Sequence, residues 1–164
     1  MDFNIFFSLL GLQSSKMKYL SFHNVKMTYS NGEYCIHCEH LNSIEATMVF
    51  EMVRDNPKVK ELIMTGDDLS KVDANLLSCS VSTLRSVSLL GTHLTVDQLS
   101  RILTAAASCQ DLQSLNLSSN NLSGLSSDLL VAAMASLQVL GLESSSLSKE
   151  QCRAVVVGGN FTTL

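Results

Sequence analysis

The sequence predicts an α/β solenoid, a parallel sheet extended one strand at a time with a helix returning the chain after each strand. Two observations predict it. One apolar spacing recurs from Val59, Leu84, Leu112 and Leu137, starts that lie 25, 28 and 25 residues apart, and a fixed period of that size marks stacked repeats. Behind each start comes a residue able to cap a helix, then apolar residues at helical spacing, so strand, turn and helix alternate. The clearest copy sets Leu112, Leu115, Leu117 and Leu122 in the frame L-x-x-L-x-L-x-x-N-x-L, with Asn120 at the polar position. Its relatives place Leu84, Val87, Leu89, Leu94; Leu137, Leu140, Leu142, Leu147; and Val59, Leu62, Met64, Leu69.

Composition agrees. The 164 residues are 46% hydrophobic and 16% charged, as expected where each unit buries its apolar face against its neighbours in a single domain. A net charge of −4 argues against nucleic acid or an anionic membrane as partner. Five cysteines are an odd number without a disulfide framework, which points to a reducing compartment, the cytoplasm.

The elements follow in order. In residues 1–16, Phe3, Phe6, Phe7 and Leu10 fall on one helical face, so a capping or repeat helix is expected. A targeting segment is disfavoured, because Asp2 is the only early charge and no small-residue cleavage pattern follows. Residues 17–58 read as an irregular first repeat. Met17, Leu20, Phe22, Val25 and Met27 make a weak strand motif; Ile44, Thr47, Met48 and Met52 make a helix ending near Asn56-Pro57. Between them, Thr28 to His40 reads as an insertion outside the repeat. The regular units are 59–83, 84–111, 112–136 and 137–160, with Ser70, Thr95, Ser123 and Ser148 as expected helix caps. Thr95 with Gln98, and Ser148 with Gln151, have capping-box spacing. The expected helix faces are Leu99, Ile102, Leu103, Ala106; then Leu125, Leu129, Leu130, Ala133; then Cys152, Val155, Val156. Gly158-Gly159 reads as a helix end. Phe161 to Leu164 opens a further motif, and an unfinished last unit would leave a sheet edge for end-to-end contact. No stretch is long and apolar enough to span a bilayer.

Chemistry-bearing motifs are few. Cys35 and Cys38, with His37, His40 and His23 near, form one zinc half-site, but no second pair of ligands exists elsewhere. An unremarkable loop is the expected state of this segment, and no metal is assigned. Cys79, Cys109 and Cys152 read as small buried hydrophobes. His93, beyond the histidines of residues 23–40, reads as a solvated turn residue, and Asp67-Asp68 as a capped turn. No phosphate-binding loop is present. No catalytic residue and no cofactor is assigned. Asn116, Asn121 and Asn160 start N-x-S/T triplets that such repeats produce readily.

Units of 25 to 28 residues with a Leu-Ser or Leu-Thr opening each helix resemble the leucine-rich repeats of the ribonuclease-inhibitor-like class, as in NOD-like receptor repeat regions and cytosolic adaptors. The resemblance covers about Met17 to Leu164, with the Thr28–His40 insertion outside it; Asp67, Thr92 and Ser145 depart from the asparagine kept at Asn120. It implies a horseshoe, with the parallel sheet concave and the helices convex. It also implies a non-enzymatic intracellular module that binds proteins, part of a regulatory or innate-immune scaffold. The alternatives are the substrate-recognition segment of a ubiquitin-ligase adaptor and a GTPase-activating protein like the Ran GTPase activator. The partner-binding positions implied on the concave face are Tyr19, Ser21 and His23; Glu61, Ile63 and Thr65; Ser86, Ser88 and Leu90; Ser114, Asn116 and Ser118; Val139, Gly141 and Glu143. This strip has few of the aromatic anchors that dominate protein interfaces, and the chain has no Trp.

Overall fold

The computed structural model describes residues 18–158. Among these residues seven strands form one sheet in chain order. β1 (Tyr19–Phe22), β2 (Val25–Ser30) and β3 (Glu33–Glu39) are an antiparallel meander. From β3 onward the pairing is parallel, through β4 (Val59–Thr65), β5 (Ser86–Leu90), β6 (Ser114–Asn116) and β7 (Val139–Gly141). Helices α1 (Ser43–Asp55), α2 (Ala74–Val81), α3 (Val96–Ser108), α4 (Ser127–Ser136) and α5 (Lys149–Gly158) follow β3 to β7 in turn. The sheet is therefore mixed, a correction to the purely parallel sheet expected. The helix expected in 1–16 and the unit expected to begin at 161–164 lie outside the described residues.

Residues 28–40, expected as an insertion, complete β2 and form β3, the strand that carries the sheet from meander to parallel array. Alternation alone could not show this, because inward residues such as Met27 and Ile36 alternate alike in either strand direction. The reversals are set by residues with positive φ: His23 at 51° before β2, then Asn31 at 53° and Gly32 at 87° before β3. Asn-Gly with both φ positive is the two-residue hairpin turn whose twist matches the strands it joins. Tyr29 and Tyr34 close the same hairpin with ring centroids 4.7 Å apart. Nothing lies within 4 Å of a Cβ built on Gly32, so Gly32→Ala strains only the backbone. It should lower stability by about 1–2 kcal/mol, measured by urea unfolding.

One core lies between the sheet and the helices. Ile36, Leu62, Val87 and Leu115 are neighbours across the strands and are buried, as are Cys38, Met64 and Leu89. The helices meet them with Phe50, Leu77, Leu99, Leu103, Leu130 and Ala133. The face of α1 differs from expectation. Ala46, Val49, Phe50 and Val53 are buried, whereas Ile44 is 76% exposed. Both sets have helical spacing, and Phe50 decides between them because it fills the most space. On α5 only Gln151 is fully buried; Val156 is exposed and Val155 packs partly against the core.

The helix starts explain how units lock together. Thr95 and Ser148 cap as expected, each with its glutamine: Gln98 Oε1 accepts from Thr95 N–H at 2.8 Å, and Gln151 Oε1 accepts from Ser148 N–H at 2.7 Å. Ser70 and Ser123 do not cap. Their hydroxyls donate to Asp68 and Asn121, a further turn follows, and Asp73 and Ser126 cap three residues later. That turn leaves carbonyls that the next unit's glutamine fills. Gln98 Nε2 donates to Leu69 and Val72 carbonyls at 2.7 Å each. Gln151 Nε2 donates to Leu122 and Leu125 carbonyls at 2.8 Å each. Two kinds of unit thus alternate, and equivalent residues (Asp73 and Ser126, Thr95 and Ser148) lie 53 positions apart. The same step upstream of Thr95 reaches Asn42, which caps α1 in a box with Glu45.

Candidate interaction face

Among the described residues, the helices cover one face of the sheet and leave the other open. Strand register arranges the open face into rows. The first runs Tyr19, Thr28, Cys35, Glu61, Ser86, Ser114, Val139. The second runs Ser21, Lys26, His37, Ile63, Ser88, Asn116, Gly141. A third, shorter row is Glu39, Thr65, Leu90. Charged side chains gather on the meander and β4. There His37 Nε2 stands 3.3 Å from Glu39. Small side chains occupy β5 to β7, while Ile63 and Leu90 are half-buried near the middle. At the ends of the first row Tyr19 is 59% exposed and Val139 58%.

Two expected face positions are placed differently, and a third has a local role as well. His23 is in the turn after β1, where antiparallel return takes it out of the rows. Ser118 is buried; its oxygen accepts from Glu143 N–H at 3.0 Å. Asn116 faces outward but also works locally, accepting from Ser118 N–H at 2.9 Å. Thr28, Cys35, His37 and Glu39 were not on the expected strip, because they fell in the presumed insertion; Lys26 was missed because the hairpin that brings it beside His37 was not read. Asn31-Gly32 was the signal that could have found them.

The two strand cysteines cannot share a metal. Three positions apart on a strand, they point to opposite faces. Cys38 is in the core, while Cys35 is half-buried in the open face. Burial, with Glu61 beside it, pushes the Cys35 thiol up to about 11; burial, with Asp67 near, also pushes Cys38 up. Both are held as thiols, poor nucleophiles and poor ligands. Among the described residues no group of three or more His, Cys, Asp or Glu side chains could hold a metal ion. Cys79 and Cys152 are exposed and Cys109 half-exposed, so the buried role expected of them does not hold.

Two arginines are engaged within the fold. Arg85 makes a two-pronged pair with Glu33, at 2.8 and 3.0 Å. Arg101 bonds Asp97 at 3.2 Å and Asn75 at 2.8 Å. His93 is an exposed turn residue with φ 55°. No helix among the described residues is long and apolar enough to cross a membrane.

Fold and face together define a class: α/β proteins of repeated strand, turn and helix units with one uncovered sheet face. Within it, the structure is similar to the tropomodulin C-terminal domain of Caenorhabditis elegans, a leucine-rich-repeat-like fold. The TM-score is 0.57 and the identity 16%, over 97% of this chain and 92% of that one. At that identity the likeness is one of fold. No protein-family model matches the sequence, and no curated protein matches it.

Proposed function

We propose that this protein is a non-enzymatic binding module of the leucine-rich-repeat kind, and that a protein partner lies across the open sheet face. The observation that carries the reading is the row structure. Ser86, Ser88, Ser114 and Gly141 keep the floor low across β5 to β7, so a partner can approach the sheet closely. Ile63, Leu90, Val139 and Tyr19 offer apolar contact on the same face, and the charged meander gives the direction of approach. The finer reading, a cytoplasmic scaffold segment of regulatory or innate-immune kind, rests on the repeat resemblance alone.

Ser88→Arg with Ser114→Arg tests the proposal, since no hydrogen bond of the fold is assigned to either hydroxyl. The pair should leave the circular dichroism and the melting temperature close to wild type. Partners captured from cytosolic extract and identified by mass spectrometry should fall at least tenfold, a loss of about 1.4 kcal/mol in binding. Equal capture by both proteins would move recognition to another surface.

A further inference from the structure

Asp67 and Asn120 occupy the same place in their units, 53 positions apart. Asn120 ties three segments together. Its Oδ1 accepts from Leu94 N–H at 3.2 Å, and its Nδ2 donates to Leu89 and Leu117 carbonyls at 2.7 and 3.1 Å. Asp67 repeats the first half: its Oδ1 accepts from Leu41 N–H. The second half needs a donor. Register makes Cys38 and Met64 the counterparts of Leu89 and Leu117. Asp67 is 0% exposed, and its Oδ2 is a buried side-chain oxygen without a partner. A carboxylate has only acceptors to offer there, whereas a carboxylic acid has one donor.

We infer that Asp67 folds as a neutral acid whose Oδ2–H takes the part of the Asn120 amide, making the junction between meander and repeats a latch that opens when the proton leaves. The surroundings divide. Burial favours the neutral form most, and Glu39 adds to it; Leu41 and Thr65 amides and the nearby His40 favour the anion. The balance lies above the ordinary carboxylate value of 3.8. Cys38, the other titratable neighbour, stays a neutral thiol. The folded protein therefore holds this proton to higher pH than the unfolded chain does. Its stabilisation is complete below the unfolded value and is lost as pH rises through the folded one. The proton goes to water, and the anion left behind keeps the Leu41 N–H but strands its buried Oδ2 without a donor, which loosens the junction as a whole.

Two measurements test the latch. The first is carbon-13 NMR of the Asp67 carboxyl in the intact wild-type chain, which should titrate with a midpoint above the ordinary carboxylate value. Amide exchange along the β3–β4 pairing beside Asp67 should accelerate over the same interval, beyond the general base-catalysed rise seen for the Leu94 amide. The second is unfolding of Asp67→Asn against pH. The amide supplies a permanent donor, so the variant should match wild type near pH 4 and exceed its folding constant about tenfold at pH 7.5. His40→Gln should raise the Asp67 midpoint further. A carboxyl midpoint at or below the ordinary value overturns the inference, as does an Asp67→Asn stability that stays parallel to wild type at every pH.

Discussion

Asn120→Ala is expected to destabilise the fold by about 3–4 kcal/mol, the largest effect of any polar substitution considered, because it strands buried backbone groups rather than removing surface contacts. Leu94 N–H has the Asn120 oxygen as its partner, and Leu89 and Leu117 carbonyls receive its amide protons. The alanine side chain replaces none of these, and Leu94 N–H is left without its partner. Urea unfolding should show the loss as a shifted midpoint with an unchanged slope. A loss under about 1 kcal/mol would mean that the turn relaxes to pair its own groups. Thr92 and Ser145, the corresponding residues of the alternate units, each donate to one carbonyl only, that of Leu89 or Leu142. Their replacement removes less.

Gln98→Ala should lose about 2–3 kcal/mol, from a buried carbonyl left bare and from half of a capping box. Its effect reaches across units. The helix start being capped is that of α3, but the carbonyls that lose the glutamine amide, Leu69 (which keeps Val72 N–H) and Val72, belong to the turn before α2. Hydrogen exchange should therefore speed up in both places. Faster exchange confined to α3 would show that the cap matters and the reach backward does not. Gln98→Glu keeps the accepting half and loses the donating half, so its damage should grow as pH rises and ease in acid.

Much of this fold is written plainly in the chain, and the gaps have physical causes. From Val59 on, apolar spacing located each strand, and the set Leu99, Ile102, Leu103, Ala106 gave the apolar part of the buried face of α3, to which Gln98 adds a polar member. The spacing failed where two answers share one pattern. Inward-outward alternation fits antiparallel and parallel strands equally, so β1 to β3 looked like a repeat followed by an insertion, although Asn31-Gly32 announced the hairpin. Two apolar faces compete on α1, and pattern alone does not weigh Phe50 against Ile44. Ser70 and Ser123 look like caps because serine caps often; Asp73 and Ser126 win because a turn intervenes. Ser118 shows the same limit on the open face. Alternation would point it outward, but the strand ends at Asn116 and the chain turns in.

The backward reach of Gln98 and Gln151 also bears on how such a chain can change length. A unit that begins with Thr95 or Ser148 presents an amide to the turn before it, and only a unit with the extra turn has carbonyls waiting. Removing one unit, or duplicating one, would set two of a kind side by side, with a stranded amide or a bare turn at the join. Removing or adding two leaves every seam as it was. Growth of this architecture is thus constrained to even steps. Glu45 fits at its start: beside the meander a box residue that only accepts is sufficient, since no turn of the repeated kind precedes it among the described residues. Deleting 84–136 as one piece should yield a shorter protein that still folds, whereas deleting 84–111 alone should not.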